Sequence, residues 1–149
     1  MLFKCKYERV KIMPAKRREI RESAFILIFE KLFRDETIDE IIELAENIDG
    51  ITINSDVIKT FSNTYEKSDE LDDIINRFSE KRSIGRIPKV NLAILRLALY
   101  EILFDDRVPE SVAINEAVLL AKKFAQEADV AFINGVLGAY SRSGSSPNA

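Results

Sequence analysis

The sequence predicts an all-α fold, and three observations carry that prediction. First, Asn91 to Phe104, reading NLAILRLALYEILF, is apolar at eleven of its last thirteen positions, interrupted only by Arg96 and Glu101. Its Leu, Ala, Ile and Tyr come with no Gly or Pro, so the segment forms a helix. A helix apolar nearly all round is a buried one, around which a single-domain bundle is organised. It is too short to span a membrane, which takes about 20 apolar residues. Second, five Gly and four Pro in 149 residues leave few breaks in long runs of Leu, Ile, Glu and Lys. Third, apolar residues elsewhere recur at helical spacing behind capping residues, and no segment makes a convincing strand.

Taken in order, residues 1–12 have no amphipathic period and read as a dispensable N-terminal extension. Met13-Pro14 looks like a second start, with Pro14 as a helix opener. The folded domain is expected over 13–140, and the Ser- and Gly-rich residues 141–149 read as a disordered tail. The first helix runs from Ala15 to about Phe33, with Ala24, Ile28 and Leu32 in one stripe. Traced backwards, that stripe meets Arg21 and Arg17. Asp35-Glu36-Thr37 caps a helix over Ile38 to Ile48, which Asp49-Gly50 stops. Ile51-Thr52-Ile53 is a connector. Asn54-Ser55-Asp56 caps Val57 to Glu66, and Ser68-Asp69-Glu70 caps Leu71 to Glu80. Lys81 to Lys89 is a turn with four basic residues, where Gly85 supplies backbone freedom and Pro88 fits the first turn of the central helix. Pro109 opens a helix over Val112 to Ala125. Asp129 is the expected N-cap of the last helix, Val130 to Tyr140, in which Gly135 is expected to permit close helix packing.

Charge is distributed unevenly. Residues 1–21 hold eight Lys or Arg against Glu8 and Glu19, a net +6, whereas the remaining residues hold 14 basic and 23 acidic side chains, a net −9. A basic head on an acidic body suggests a polyanion contact at one end. Within the head, Lys16, Arg17, Arg18 and Arg21 crowd the positive end of a helix dipole, where a purely structural helix favours Asp or Glu. That placement points to an anion site. The central Arg96 has almost no solvated face and is expected to form a structural ion pair, with Glu101, Glu116 or a more distant acid as its partner. On the helix after Pro109, Val112 and Leu119 fall among polar residues. With Glu116 they make a candidate partner surface.

Several chemistries are excluded. The chain has no His, which removes imidazole bases, catalytic triads and most zinc sites. Its one Cys, Cys5, cannot form an internal disulfide and suits a reducing cytoplasm. No Gly-rich phosphate loop follows a strand, and no carboxylate pair sits in an acid–base motif. Neither a catalytic residue, a metal site nor a cofactor is expected, and the chain reads as a non-enzyme.

Lys16-Arg17-Arg18-Glu19-Ile20-Arg21-Glu22-Ser23-Ala24-Phe25 resembles the opening helix of the NusB transcription antitermination factors. Ala93 to Ile102 is similar to their central helix. Val112-Ala113-Ile114-Asn115-Glu116-Ala117-Val118 and Phe132-Ile133-Asn134-Gly135-Val136-Leu137 match the family's two most specific motifs. The resemblance implies a bundle of about seven helices. It also implies binding of boxA-type single-stranded RNA from ribosomal RNA leaders together with NusE, a small-subunit ribosomal protein, within the RNA polymerase antitermination complex and away from any membrane. On the matching positions, Lys16, Arg17, Arg18 and Arg21 would contact the RNA, with Lys81 and Arg82 as a second basic edge. Phe132 would offer a stacking face for an unpaired base, with a core aromatic as the alternative reading of that position. The loop Gln126 to Ala131 departs from the pattern by carrying Ala128, Val130 and Ala131. The rival reading is a helical protein–protein adaptor without RNA binding. Such scaffolds also occur fused to RNA methyltransferases, but this chain has no room for a cofactor domain.

Overall fold

The computed structural model describes residues 16–80 and 82–144. The proposed extension 1–12 and residues 145–149 of the tail lie outside them. Among the described residues there are seven α-helices, one short 3-10 turn and no strand. The helices are α1 (Arg17–Lys31), α2 (Ile38–Ala45), α3 (Ser55–Glu66), α4 (Ser68–Phe78), α5 (Lys89–Phe104), α6 (Glu110–Phe124) and α7 (Glu127–Arg142). None is long and apolar enough to cross a membrane. The chain divides into two compact units, one ending at Tyr65 and the other beginning at Glu66.

In the first unit, α1 buries Ala24, Phe25, Leu27 and Ile28, the face expected from its stripe. Its aromatic residues stack along the helix, Phe25 on Phe29 at 6.1 Å and Phe29 edge-on to Phe33 at 4.9 Å. Buried Ser23 accepts a hydrogen bond at its Oγ from the Thr52 amide at 2.9 Å, tying the Ile51–Ile53 connector to α1. Thr37 caps α2: its hydroxyl accepts from the Glu40 amide and the Glu40 carboxylate accepts from the Thr37 amide, both at 3.2 Å. Such reciprocal capping contributes about 1 kcal/mol. The helix ends at Ala45, three residues short of the expected Ile48, because the Ile48 amide turns back to the Ala45 carbonyl. Gly50 then takes the left-handed conformation, at φ +89°. Asn54 Oδ1 accepts from the Val57 amide at 2.8 Å and starts α3.

The second unit is built on α5. Eleven of its sixteen residues are buried, including every position from Asn91 to Leu95 and from Leu97 to Ile102. Helices α4, α6 and α7 pack against it. Phe78 of α4 meets Tyr140 of α7 edge-on at 5.7 Å. Ser68, expected as a cap, is instead the first residue of α4.

Arg96 is paired, and its partner is one of the distant acids rather than Glu101 or Glu116. Its Nε and Nη2 donate to Oδ1 and Oδ2 of Asp72 at 2.8 and 2.7 Å. This two-pronged geometry matches the fixed fork of the guanidinium. The pair is less buried than the sequence suggests, with 13% of the Arg96 side chain and 21% of the Asp72 side chain exposed. The reason is local: Asp72 follows fully buried Leu71 on α4, at the rim of the helix pair.

The start of α7 also differs. Asp129 is not the N-cap; Gln126 is, and Asp129 sits three residues inside, its Oδ2 accepting from the Gln126 amide at 3.2 Å. Its Oδ1 accepts from Nδ2 of fully buried Asn91 at 3.0 Å. The expected loop over Gln126 to Ala131 shrinks to Ala125 and Gln126 between the two helices. Gly135 is exposed, and a methyl group added there would meet nothing within 4 Å. Close packing therefore does not explain it.

Two outcomes follow. Gly135→Ala should raise the unfolding free energy by about 0.5–1 kcal/mol, since the helical backbone gains propensity and nothing is displaced; denaturant melts measure this. Arg96→Met should lower stability by about 2–3 kcal/mol, under the roughly 3–5 kcal/mol of a fully buried pair because some solvent reaches it. Replacing Asp72 by Leu in the same chain should recover part of that loss, and additive losses would show that the pair is not coupled.

Candidate nucleic-acid interface

The candidate RNA-binding residues fall in both units. In the first, Lys16, Arg17 and Arg18 are exposed at the start of α1. Lys16 is the N-cap residue in extended conformation and supplies no side-chain capping bond. The helix thus begins with cations where its aligned amides already favour negative charge. Glu19 is the acidic residue of that turn. Arg21 differs from the others, with only 7% of its surface exposed.

In the second unit the chain between α4 and α5 positions Arg82. Ser79 ends α4, and Glu80 follows at φ +42°, the left-handed conformation that reverses a chain leaving a helix. Glycine usually fills such a position; here it is a glutamate, while Gly85 keeps an ordinary φ and supplies no special freedom. Buried Ser79 fixes the turn: its hydroxyl donates to the Arg82 carbonyl at 2.7 Å, and the Arg82 amide donates to the Ser79 carbonyl at 3.1 Å. The Arg82 backbone is held, and its exposed side chain lies over the Phe132 ring with the guanidinium carbon 4.6 Å from the ring centroid. Phe132 is half-buried, so it is not a core aromatic. Two residues fifty positions apart therefore form one cation–π platform. Lys81 lies outside the described residues.

On α6, Val112 and Leu119 are 42% and 36% exposed, with half-buried Glu116 between them at helical spacing. The candidate partner stripe is thus continuous along one side of that helix. No cluster of His, Cys, Asp or Glu suited to a metal ion occurs among the described residues.

The sequence singles out Arg82 and Phe132 separately but carries no signal for their contact, which depends on the Ser79 turn and on where α7 begins. In solution the Arg82 side-chain protons should resonate upfield through the ring current of Phe132. Phe132→Leu should return them to ordinary positions in proton NMR, and an unchanged spectrum would remove the contact.

A family model described as the NusB family matches residues 18–142. The chain is 42% identical over 126 residues to the transcription antitermination protein NusB of Natranaerobius thermophilus, covering 81% of this chain and 91% of that protein. It is 43% identical to the NusB protein of Acetivibrio thermocellus, covering 82% and 86%. Among solved structures, T. maritima NusB superposes with a TM-score of 0.75 at 33% identity, covering 87% of this chain and 93% of that one. A crystal structure of the antitermination factors NusB and NusE in complex with double-stranded RNA contains a chain that aligns with a TM-score of 0.71 at 29% identity, covering 85% and 96%.

Proposed function

The chain belongs to the NusB family, and on that premise we propose that it is an RNA-binding transcription antitermination factor. It takes the boxA-type single strand of ribosomal RNA leader transcripts together with NusE, within the RNA polymerase antitermination complex of the cytoplasm. Its work is recognition, not catalysis.

The observation that carries the RNA reading is the platform of Arg82 on Phe132. A flat aromatic face beside a cation is what an unpaired base and its phosphate need together, since base–aromatic stacking contributes about 1–3 kcal/mol per base. The exposed Lys16, Arg17 and Arg18 add a second contact set for phosphates. Arg21 contributes charge from a buried position, and Lys81 extends the basic edge before Arg82. Recognition of single strands fits a stacking face better than recognition of duplex, whose bases are already stacked. Val112, Glu116 and Leu119 form the NusE-facing stripe. An acidic body supports a basic protein partner, and exposed aliphatics at helical spacing give that partner an apolar anchor.

A titration of labelled boxA RNA, with and without NusE, tests the reading. The wild-type chain should bind the RNA, and NusE should strengthen the complex. Replacing Arg17 and Arg18 by Ala should weaken binding while the melting temperature stays nearly constant. The slope of log K against log salt should shrink by roughly 0.7 for each lost contact with a single strand. An unchanged slope removes these arginines from the site. Binding of NusE without any RNA binding would favour the adaptor reading instead.

A further inference from the structure

The turn Ala125-Gln126 folds α7 back on α6, and the outer side of this hairpin carries an open groove of about 1250 Å³. Phe132 and Arg82 do not line it, so it is not part of the RNA platform. Its floor is aliphatic, from half-buried Ile114, Val118 and Val130. Its charges sit at the two ends. Lys122 and Glu127 share the turn end and leave it without net charge, whereas Glu110 stands about three helical turns away from Lys122, the one cation among the lining residues. The distance along α6 from Glu110 to Lys122 is about 18 Å at 1.5 Å per residue. That length suits about five or six residues of extended chain, and the volume exceeds the roughly 300–1000 Å³ of small-molecule pockets.

Glu110 is the least satisfied group in this region. Its Oε1 touches no solvent and accepts no hydrogen bond. A carboxylate oxygen withdrawn from water without a donor is costly, and a cation brought to it recovers that cost. The charge of Glu110 is also felt by Tyr140, whose hydroxyl is pushed above its ordinary range first by burial and then by this carboxylate, against an opposing effect of Arg77.

We propose that the groove docks an extended segment of a partner protein, which places a Lys or Arg side chain against Glu110 and small aliphatic side chains over Ile114, Val118 and Val130. The Glu110 side chain turns toward the incoming cation, so the oxygen left without a donor in the free protein gains one on binding. The lone negative end also sets the direction of the segment, because at the turn end Lys122 and Glu127 together offer a cation no net attraction.

The test uses the full chain, labelled with nitrogen-15, and the synthetic pentapeptide acetyl-Arg-Ala-Val-Ala-Val-amide as probe. Addition of the peptide should shift the amides of Ile114, Val118, Val130 and Asn134. A control peptide with Glu in place of its Arg should bind at least tenfold more weakly. Glu110→Gln should weaken the Arg peptide at least fivefold. Asn134→Lys, at an exposed position of α7 lining the groove, should weaken it as well with an unchanged circular dichroism spectrum. Equal binding of the two peptides, shifts confined to other surfaces, or no shift at millimolar peptide would overturn the proposal. Groove amides that shift on dilution of the protein alone would also overturn it, because the occupant would then be a second copy of this chain.

Discussion

The second unit depends on covering a helix that has no polar side. Each fully buried Leu or Ile of α5 contributes about 1.5–3 kcal/mol only while neighbours keep water away from it. Helices α4, α6 and α7 are therefore not free to choose their apolar faces; each must present one to α5. The same demand explains where polar groups survive. Arg96 leaves the apolar surface at the rim, where Asp72 receives both prongs of its guanidinium. Asn91, fully enclosed, is held by Asp129. The exposed candidate residues Val112 and Leu119 lie on the outside of a helix whose inner side is already committed.

Most of this architecture was legible in the residues. The run from Asn91 to Phe104 could belong only to an enclosed helix, and Asp35-Glu36-Thr37 marks a helix start that Thr37 does cap, although its reciprocal bond with Glu40 shows only in the structure. Helix ends were less legible, because they turn on hydrogen bonds rather than on composition. Asp129 looked like a cap because Asp favours that position, yet a residue three places inside can serve the same amide from below. Gly135 looked like a packing device because most interior glycines cost stability; its open surroundings remove that reason.

The candidate site divides along similar lines. A row of cations at a helix start is visible in any reading of the chain, since local charge against a local dipole needs no tertiary knowledge. Which of them stays accessible is a tertiary matter: Arg21 is buried where Arg17 and Arg18 are not. The pairing of Arg82 with Phe132 and of Arg96 with Asp72 join residues fifty and twenty-four positions apart, and nothing in either local pattern names its partner. The groove on the hairpin was equally silent, because Glu110 reads as an ordinary first-turn acid until its oxygen is seen without a donor.

Asp129 spends one carboxylate oxygen on the amide that begins α7 and the other on the enclosed amide group of α5. The aromatic face three residues further on is thereby indexed to the deepest part of the unit through a single side chain. Asn at this position would turn one acceptor into a donor and set it against an N–H, while Glu would overreach by a methylene. Drift at position 129 is then tolerable only with a compensating change at position 91, so among descendants of this chain the two positions should be inherited as a couple.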